Sequence, residues 1–349
     1  AGGASAAARA RRLDEKAEIV IFERGEHVSF SNCSMPYFLS RAIADSASLV
    51  MMDPTQFKNK YNIEVRTQHE VTSIDRSKKT IQVKNLLTGA ACEEPYDTLI
   101  LSPGGEPVMP KAIEGINNKN VFSIRNVTDI ARLDSCLRTG QVNQIAVVGG
   151  GALGCEVAEN IVLAGKQVTL IEAADQILTF FDYDMAQILH KEMLDQGISL
   201  ILKDGVKKIR NDSIELVSGK IVPAQAVVMA IGIRPESTLA KNAGLEIAEN
   251  GCIRVNTNYQ TSDPDIYAVG DVIEVFNALT HKPMPLALAF PAQLEARAAA
   301  DHIYGLQNRQ KGFLGSSVLR VFNLIAACTG LNEKTAKAAD FSYDTAYVI

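Results

Sequence analysis

The segment FSNCSMPY, residues 30–37, places a single cysteine, Cys33, three residues before Pro36. Pro36 suits the first turn of a helix and disfavours helix at the residue before it. A thiol just before a helix is expected to have a lowered pKa, because free N–H groups and the positive end of the helix dipole stabilise its anion. The segment therefore predicts a nucleophilic thiol. A lone cysteine is more often a small buried hydrophobic residue, so the surrounding motifs have to decide between the two interpretations.

The six cysteines are scattered through the chain without C-x-x-C or metal-ligand spacing. They are Cys33, Cys92, Cys136, Cys155, Cys252 and Cys328. This distribution favours free thiols in a reducing cytoplasm over a disulfide framework or a zinc site. The five histidines also lack ligand spacing, and we expect no metal.

The clearest organisation lies in QIAVVGGGALGCEVAENIVLAGKQVTLIEA, residues 144–173. An apolar strand leads into a glycine-rich turn and a helix, and a second strand ends in Glu172. The glycines of the turn are Gly149, Gly151 and Gly154. Such glycines let the backbone approach a pyrophosphate at a helix N-terminus, and an acid at this distance can bind a ribose hydroxyl. Because a carboxylate repels the 2′-phosphate of NADP and Ala173 and Ala174 are not basic, NADH is favoured over NADPH.

The N-terminal residues repeat part of this pattern. Gly2 and Gly3 precede an alanine- and arginine-rich helix, and a strand then ends in Glu23. We interpret Gly2 and Gly3 as the last glycines of a first fingerprint whose opening strand is missing, so the N-terminus is expected to be truncated. The alternative is that they merely begin a core helix. Two dinucleotide units in one chain indicate electron transfer between two cofactors.

Three further segments end apolar strands in glycine or proline turns and flank the central unit. In TSDPDIYAVGDV (residues 261–272), Gly270 allows a close approach and Asp271 can accept bonds from sugar hydroxyls. The other two segments are YDTLILSPGGEP (residues 96–107) and AIGIRPE (residues 230–236). They contribute Ser102, Pro103, Gly104 and Gly232 as cofactor-binding candidates. The arrangement is typical of a nicotinamide domain inserted into a flavin domain.

Taken together, the chain resembles the flavin-dependent pyridine nucleotide-disulfide oxidoreductases, and within them the coenzyme A-disulfide reductase, persulfide reductase and NADH oxidase members. The resemblance covers nearly all 349 residues. It rests on AGGASAAARARRL, SFSNCSMPY, LILSPGGEP, VVGGGALGCEVAEN, IYAVGD and GFLGSSVLRVFN, in the order that the family has them. One departure is FPAQLEARAAADHI (residues 290–303), which replaces the more common GPANRQGR…AADNI.

The resemblance implies an α/β fold with two Rossmann-like FAD/NAD(P)-binding domains, each with three layers around a parallel central sheet. FAD would be held by a discontinuous domain of residues 1–112 and 251–310, and NADH by an inserted domain of residues 113–250. Residues 311–349 would be part of a truncated α+β dimerisation domain, so a homodimer is expected.

A single thiol limits the chemistry. Two-cysteine members of the family use a C-x-x-x-x-C pair, and the span from Cys33 to Phe38 lacks the second cysteine. The oxidised state must then be a mixed disulfide with a small thiol or a sulfenic acid. By resemblance, the first describes reductases of coenzyme A disulfide or persulfide, and the second describes NADH oxidase and peroxidase. Those oxygen- and peroxide-using relatives carry a histidine where this chain has Ala1, which favours the disulfide or persulfide branch.

The resemblance also implies substrate contacts. Ser29 and Asn32 would line the thiol substrate, and Arg12 would pair with a coenzyme A phosphate.

A function of another class stays open, namely a non-catalytic nucleotide-binding redox sensor. Other classes are disfavoured: the net charge is −5 with no basic stripe for nucleic acid. No run of about 18 apolar residues encodes a bilayer span. We therefore expect small-molecule partners and a cytoplasmic location.

Overall fold

The computed structural model describes residues 1–307 and 312–348. Its helices are α1 (Gly2–Leu13), α2 (Met35–Leu39), α3 (Pro54–Tyr61), α4 (Val127–Arg138), α5 (Ala152–Leu163), α6 (Tyr183–Asp195), α7 (Thr238–Asn242), α8 (Ala289–Ile303) and α9 (Glu333–Ala338). Short 3-10 turns span Asn32–Ser34 and Ala47–Leu49.

The strands alternate with these helices. They are β1 (Val20–Glu23), β2 (Ser29–Phe30), β3 (Val50–Met52), β4 (Glu64–Thr67), β5 (His69–Asp75), β6 (Thr80–Asn85), β7 (Ala91–Pro95), β8 (Leu99–Leu101), β9 (Gly105–Pro107), β10 (Val121–Phe122), β11 (Gln144–Val148), β12 (Gln167–Ile171), β13 (Ser199–Ile201), β14 (Val206–Ile209), β15 (Ser213–Leu216), β16 (Ile221–Pro223), β17 (Ala226–Met229), β18 (Ile233–Pro235), β19 (Ile266–Ala268), β20 (Glu274–Phe276), β21 (Pro283–Pro285), β22 (Ser317–Val321) and β23 (Leu324–Cys328).

The chain forms two compact units. Unit 1 comprises Ala1–Ser31, Val50–Glu106 and Ile233–Phe313, and unit 2 comprises Asn32–Leu49, Pro107–Gly232 and Leu314–Ile349.

Unit 2 is built on a five-stranded parallel sheet in the order β10-β17-β11-β12-β13. The central strands β11 and β17 are apolar and buried along almost their whole length, as expected for parallel strands that are covered on both faces. Helix α5 connects β11 to β12, which supplies the crossover that parallel strands need. A second, antiparallel sheet of β14, β15 and β16 packs into the same apolar core.

The C-terminal residues of unit 2 form the antiparallel hairpin β22–β23, followed by α9. Strand β22 packs against α5. Asn332 begins α9 with a reciprocal cap, since its side chain accepts from the Thr335 N–H and the Thr335 hydroxyl accepts from the Asn332 N–H.

Unit 1 contains two parallel strand pairs, β1–β4 and β8–β19, and an antiparallel meander of β5, β6 and β7. Helices α1 and α8 pack along each other. Small buried residues such as Ala6 and Ala299 permit their close approach, and Arg9 forms an ion pair with Asp301 at 2.6 Å. Both units confirm the predicted α/β fold with parallel sheets.

The two units divide the chain differently from the predicted domains. Residues 32–49 group with unit 2, whereas residues 233–250 group with unit 1. The predicted boundary between residues 310 and 311 lies outside the described residues. This grouping assigns no cofactor, so the FAD- and NADH-binding domains stay predictions. Across residues 1–307 and 312–348, no helix combines the length and apolarity that crossing a membrane requires.

Candidate active site

The glycine loop of unit 2 is shaped by packing. Gly149 follows β11 with a φ of 109°, and a Cβ there would lie 2.4 Å from the Ala230 carbonyl oxygen. A Cβ on Gly154 would lie 1.9 Å from the Gly149 carbonyl oxygen. A Cβ on Gly151, by contrast, would meet nothing within 4 Å. The loop is therefore tight on its inner side and open at the start of α5, where a phosphate could approach backbone N–H groups.

Glu172 closes this loop from the end of β12. Its Oε2 accepts a hydrogen bond from the Gly150 N–H at 2.5 Å, and its Oε1 accepts one from the Ala174 N–H at 2.8 Å. A carboxylate accepts about four hydrogen bonds, so it can still bind a ribose hydroxyl. That role stays a prediction. Gly232, beyond β17, is exposed with a φ of 113°, and a Cβ added there would meet nothing within 4 Å.

In unit 1 the structure brings the ends of α1, β8 and β19 together. The Gly3 N–H donates to Ser102 Oγ at 2.9 Å, and a Cβ on Gly2 would lie 2.6 Å from the same oxygen. A Cβ on Gly270 would lie 3.8 Å from it. Pro103 and Gly104, with a φ of 74°, continue the turn after Ser102.

Two predicted acids lie at this junction. Glu23 Oε1 accepts from the Gly25 N–H at 2.7 Å. Asp271 directly follows Gly270, whose Cβ position lies 3.8 Å from Ser102 Oγ, and Glu23 ends β1, which packs against α1. A dinucleotide needs glycines at a helix N-terminus to approach its pyrophosphate and a nearby carboxylate to bind a ribose hydroxyl. Each of the two units contains residues of both kinds.

Sequence reasoning missed Glu295 on α8. It is 1% exposed, and its Oε2 accepts from the Gly270 N–H at 2.7 Å. Burial, with a contribution from Asp271, raises the pKa of Glu295 to about 7. An acid within the alanine-rich stretch of residues 289–300 was the available signal.

Cys33 is exposed in the 3-10 turn that precedes α2, as its proline had indicated. The expected lowering of its pKa is wrong. Although the residue is exposed, protein surrounds part of the sulfur, and this partial desolvation raises the pKa of Cys33; the negative charge of Glu156 raises it further, against a smaller opposing effect of a backbone hydrogen bond. Helix α2 has five residues and so few aligned dipoles, which do not outweigh these two effects.

Helix α5 and strand β22 carry a charged cluster of Glu156, Glu159 and Arg320 that the sequence did not predict, and one member of it, Glu156, acts on this thiol. Burial and Glu159 raise the pKa of Glu156 to about 7. Glu159 is 2% exposed and accepts from the Phe322 N–H at 2.8 Å and from the Arg320 guanidinium at 3.4 Å. The Arg320 guanidinium also lies 6.0 Å from the centre of the Tyr37 ring. Helix α5 thus presents two acids, of which Glu156 acts on Cys33 and both act on Tyr37, and β22 supplies the Arg320 cation.

Other cysteines are less suited to catalysis. Cys155 is buried, and burial followed by nearby glutamates raises its pKa far above the usual range. Cys252 is also buried, and its pKa is raised to about 11. In the described part of the chain, no group of three or more His, Cys, Asp or Glu side chains could hold a metal ion.

The predicted substrate contacts are accessible to different degrees. Arg12 and Asn32 are exposed, and Ser29 lies half-buried in β2 opposite Met52. The two arginines that precede Arg12 on α1 already have partners. Arg9 forms an ion pair with Asp301, and Arg11 donates to backbone carbonyls that include that of Tyr61. The substrate roles of Arg12, Ser29 and Asn32 stay predictions.

Comparison with known proteins identifies relatives along most of the chain. Residues 1–296 match the family model described as pyridine nucleotide-disulphide oxidoreductase. The coenzyme A disulfide reductase of Staphylococcus epidermidis is 32% identical over 345 residues, which are 99% of this chain and 77% of that protein.

Two solved structures are similar throughout. The reduced CoADR-RHD of Bacillus anthracis has a TM-score of 0.96 and 41% identity, covering 99% of this chain and 62% of that one. The NAD-dependent persulfide reductase of A. fulgidus has a TM-score of 0.93 and 32% identity, covering 97% of this chain and 64% of that one. This chain thus spans less than two thirds of the length of these two structures. With its fingerprint glycines, its parallel sheets and a family match over 296 residues, the chain belongs to the pyridine nucleotide-disulphide oxidoreductases, a family of FAD- and NAD(P)H-dependent enzymes.

Proposed function

We propose that this protein uses NADH and FAD to reduce the disulfide or persulfide of a small thiol, with coenzyme A as the first candidate, through Cys33. Bound FAD would supply a two-electron relay between a nicotinamide and a sulfur. The residues Gly2, Gly3, Glu23, Ser102, Pro103, Gly104, Gly270 and Asp271 would hold FAD. The residues Gly149, Gly151, Gly154, Glu172 and Gly232 would hold NADH.

The observation that carries the proposal is the exposed thiol of Cys33 in the unit that also contains the complete glycine fingerprint. The fingerprint's own cysteine, Cys155, is buried and cannot serve as a second redox thiol. A lone thiol attacks a substrate sulfur and holds the product as a mixed disulfide until two electrons release it. The similar proteins named for coenzyme A disulfide and for persulfide support this substrate class.

Two parts of the proposal concern assembly and nucleotide choice. Glu172 favours NADH because a carboxylate there opposes a 2′-phosphate. Val318 and Ile325, on the β22–β23 hairpin, are 68% and 77% exposed, which supports a homodimer that covers them. Light scattering of the purified protein, and NADH against NADPH titrations, test these two parts. A cytoplasmic location remains part of the proposal.

Substitution of the thiol tests the function. With Cys33→Ser in the FAD-loaded protein, NADH should still bleach the flavin absorbance, whereas turnover of coenzyme A disulfide or persulfide should fall by about 10³-fold or more. Cys92→Ser is the matched control, since Cys92 is also an exposed thiol, and should behave as wild type. Oxygen and peroxide should be assayed beside the sulfur substrates. Undiminished disulfide turnover in Cys33→Ser refutes the proposal, and faster turnover of oxygen than of any sulfur substrate assigns the oxidase reaction instead.

A further inference from the structure

Residues 173–181, the covering loop, follow Glu172 at the end of β12 and pack on the glycine loop of unit 2. The Leu178 N–H donates to the Gly150 carbonyl at 2.7 Å, and the Gly150 N–H donates to Glu172 Oε2 at 2.5 Å. A Cβ on Gly150 would lie 2.8 Å from Ile177 Cγ2, so the two loops are in close contact. Both backbone polar groups of Gly150 therefore depend on the position of the segment from Glu172 to Leu178.

His190 of α6 anchors the covering loop through one ring nitrogen. Its Nε2 accepts a hydrogen bond from the Ile177 N–H at 3.0 Å, and its Nδ1 lies 3.2 Å from Gln187 Oε1. Because the Ile177 N–H can only donate, Nε2 carries the lone pair and Nδ1 carries the proton, which the Gln187 oxygen accepts. His190 is 7% exposed and Ile177 is fully buried. If Nε2 stopped accepting, the buried Ile177 N–H would lose its partner, which is unfavourable.

The anchor supports a backbone conformation that is otherwise unfavourable. Leu178, the residue after the anchored N–H, has a φ of 50°, in the left-handed region that bulky side chains rarely adopt. Its side chain is fully buried, and its own N–H is the donor to Gly150. Residues in this conformation keep it only where the surrounding structure holds them. We therefore expect loss of the anchor to release Leu178 and, with it, the bond to the Gly150 carbonyl.

The charged groups around His190 have partners other than its ring. Helix α6 packs against β13 and β22, and α9 contacts the covering loop where Lys334 donates to Gln176 Oε1 at 3.2 Å. Strand β13 carries no ionisable side chain. The pairs on the other elements are Asp175 with Lys334, Lys191 with Asp195, Arg320 with Glu159, Glu333 with Lys337, Glu192 with Asn323, and Asp184 with the Met185 N–H. Burial lowers the pKa of His190, so its ring is neutral at neutral pH.

We propose that His190 is a positioning residue for NADH: its neutral ring holds the covering loop against the glycine loop, and protonation of the ring releases both. The proposal rests on the function proposed above, in which the glycine loop and Glu172 bind NADH. An imidazolium has two N–H donors and no acceptor, so it cannot receive the Ile177 N–H. His190 acts on NADH through Ile177, Leu178 and Gly150, without touching the nucleotide.

Two substitutions separate the hydrogen bond from the packing of the ring. His190→Leu keeps an apolar side chain of similar size but offers no acceptor to the Ile177 N–H. We expect it to raise the Kd for NADH by about tenfold at pH 7.5. His190→Gln supplies an acceptor oxygen that does not titrate, and should bind NADH within about twofold of wild type. Binding is measured anaerobically by NADH fluorescence on FAD-loaded protein that dithionite has already reduced, so that no hydride transfer occurs.

The pH profile gives a readout that packing alone would not change. As the pH falls from 7 to 5, the wild-type Kd for NADH should rise by at least about threefold, because protonation of His190 removes the acceptor. His190→Gln should lack this rise. His69→Leu is the matched control in unit 1, since both ring nitrogens of His69 also have partners, the Thr67 carbonyl at 2.7 Å and the Asn85 side chain at 3.2 Å. It should keep the wild-type Kd and pH profile.

Hydrogen exchange tests the anchor without any nucleotide. The amides of Ile177 and Leu178 should exchange faster in His190→Leu than in wild type, His190→Gln or His69→Leu. A wild-type Kd in His190→Leu, or the same pH dependence in His190→Gln and wild type, overturns the proposal. If His190→Leu does not fold, the comparison of wild type with His190→Gln across pH decides. If no variant binds NADH while exchange is faster in His190→Leu alone, the proposed function fails and the anchoring of the covering loop by His190 stands.

Discussion

The two glycine-containing regions that are proposed to bind dinucleotides share one hydrogen-bonding arrangement, which is more complete in one region than in the other. In each, an acid at the end of a strand accepts from an N–H two residues later: Glu23 from Gly25 at 2.7 Å, and Glu172 from Ala174 at 2.8 Å. Glu172 also accepts from Gly150 in the glycine loop, so strand end and loop are bound directly. The N-terminal region instead joins its glycines to Ser102, far along the chain. One site is local in sequence, and the other is assembled from distant segments.

We expect the largest effect from Gly154→Ala, which disturbs the region that is local in sequence. A methyl group there would lie 1.9 Å from a backbone oxygen of the same loop, which cannot move without breaking the fingerprint. We expect NADH-driven flavin reduction to fall by at least about a hundredfold, with a loss of more than about 3 kcal/mol in the free energy of unfolding. Stopped-flow absorbance and chemical denaturation measure the two effects.

Gly205→Ala is its matched control in unit 2, since the added Cβ would meet Val217 at an ordinary 3.5 Å. It should differ from wild type by less than about 1 kcal/mol. Equal behaviour of the two variants would show that the central loop is not sterically determined.

The second test concerns Glu295 in the assembled region. Its pKa in the folded protein is about 7, above the ordinary 4.5, because burial disfavours the charge. The protonated form therefore stabilises the fold fully below pH 4.5, and this contribution is lost as the pH rises through about 7. Relative to Glu295→Gln, wild type should lose up to about 3 kcal/mol over this range.

Urea unfolding of both proteins between pH 5 and pH 9 measures this difference, with Glu249→Gln as the exposed control. Parallel stability curves for wild type and Glu295→Gln would contradict a buried, protonated Glu295. A wild type that becomes less stable relative to Glu295→Gln as the pH falls would contradict it as well.

The contrast between a region that is local in sequence and one assembled from distant segments also explains which features the sequence could predict. The central fingerprint was predictable because strand, glycines, helix and acid follow one another between residues 145 and 172, and local spacing determines their contacts. The α/β fold with parallel sheets followed from the family's motif order. The environment of Cys33 was not predictable, since burial of its sulfur, together with a smaller effect of Glu156 on another helix, raises its pKa instead of lowering it.

Glu295 shows the same limit in unit 1. Nothing in the stretch around residue 295 reveals that its carboxylate will meet the N–H of Gly270, because that contact depends on the packing of α8. The roles of Ser29, Asn32 and Arg12 depend on a bound substrate, and neither spacing nor packing decides them.

We expect the smallest effect from substitutions of two adjacent glycines, Gly2 and Gly3, in the N-terminal region that is assembled from distant segments. A Cβ on Gly2 would lie 2.6 Å from Ser102 Oγ and 3.0 Å from Val269 Cγ2, whereas one on Gly3 would lie no closer than 3.4 Å to Ser102. Ser102 Oγ could rotate away, but it would then lose the Gly3 N–H. We expect Gly2→Ala to cost about 1–2 kcal/mol of unfolding free energy. Gly3→Ala should be neutral or stabilising, because alanine favours a helix by about 1 kcal/mol over glycine.

A double-mutant cycle with Ser102→Ala assigns the cause. Truncating Ser102 removes both the close oxygen and its hydrogen bond, so Gly2→Ala should cost clearly less in that background than in wild type. Thermal and urea unfolding of the four proteins give the coupling free energy. If Gly2→Ala lowers the free energy of unfolding by the same amount with and without the Ser102 hydroxyl, the close approach of α1 to the end of β8 does not depend on this pair. The stability of the N-terminal region would then not rest on the long-range contact that distinguishes it from the central region.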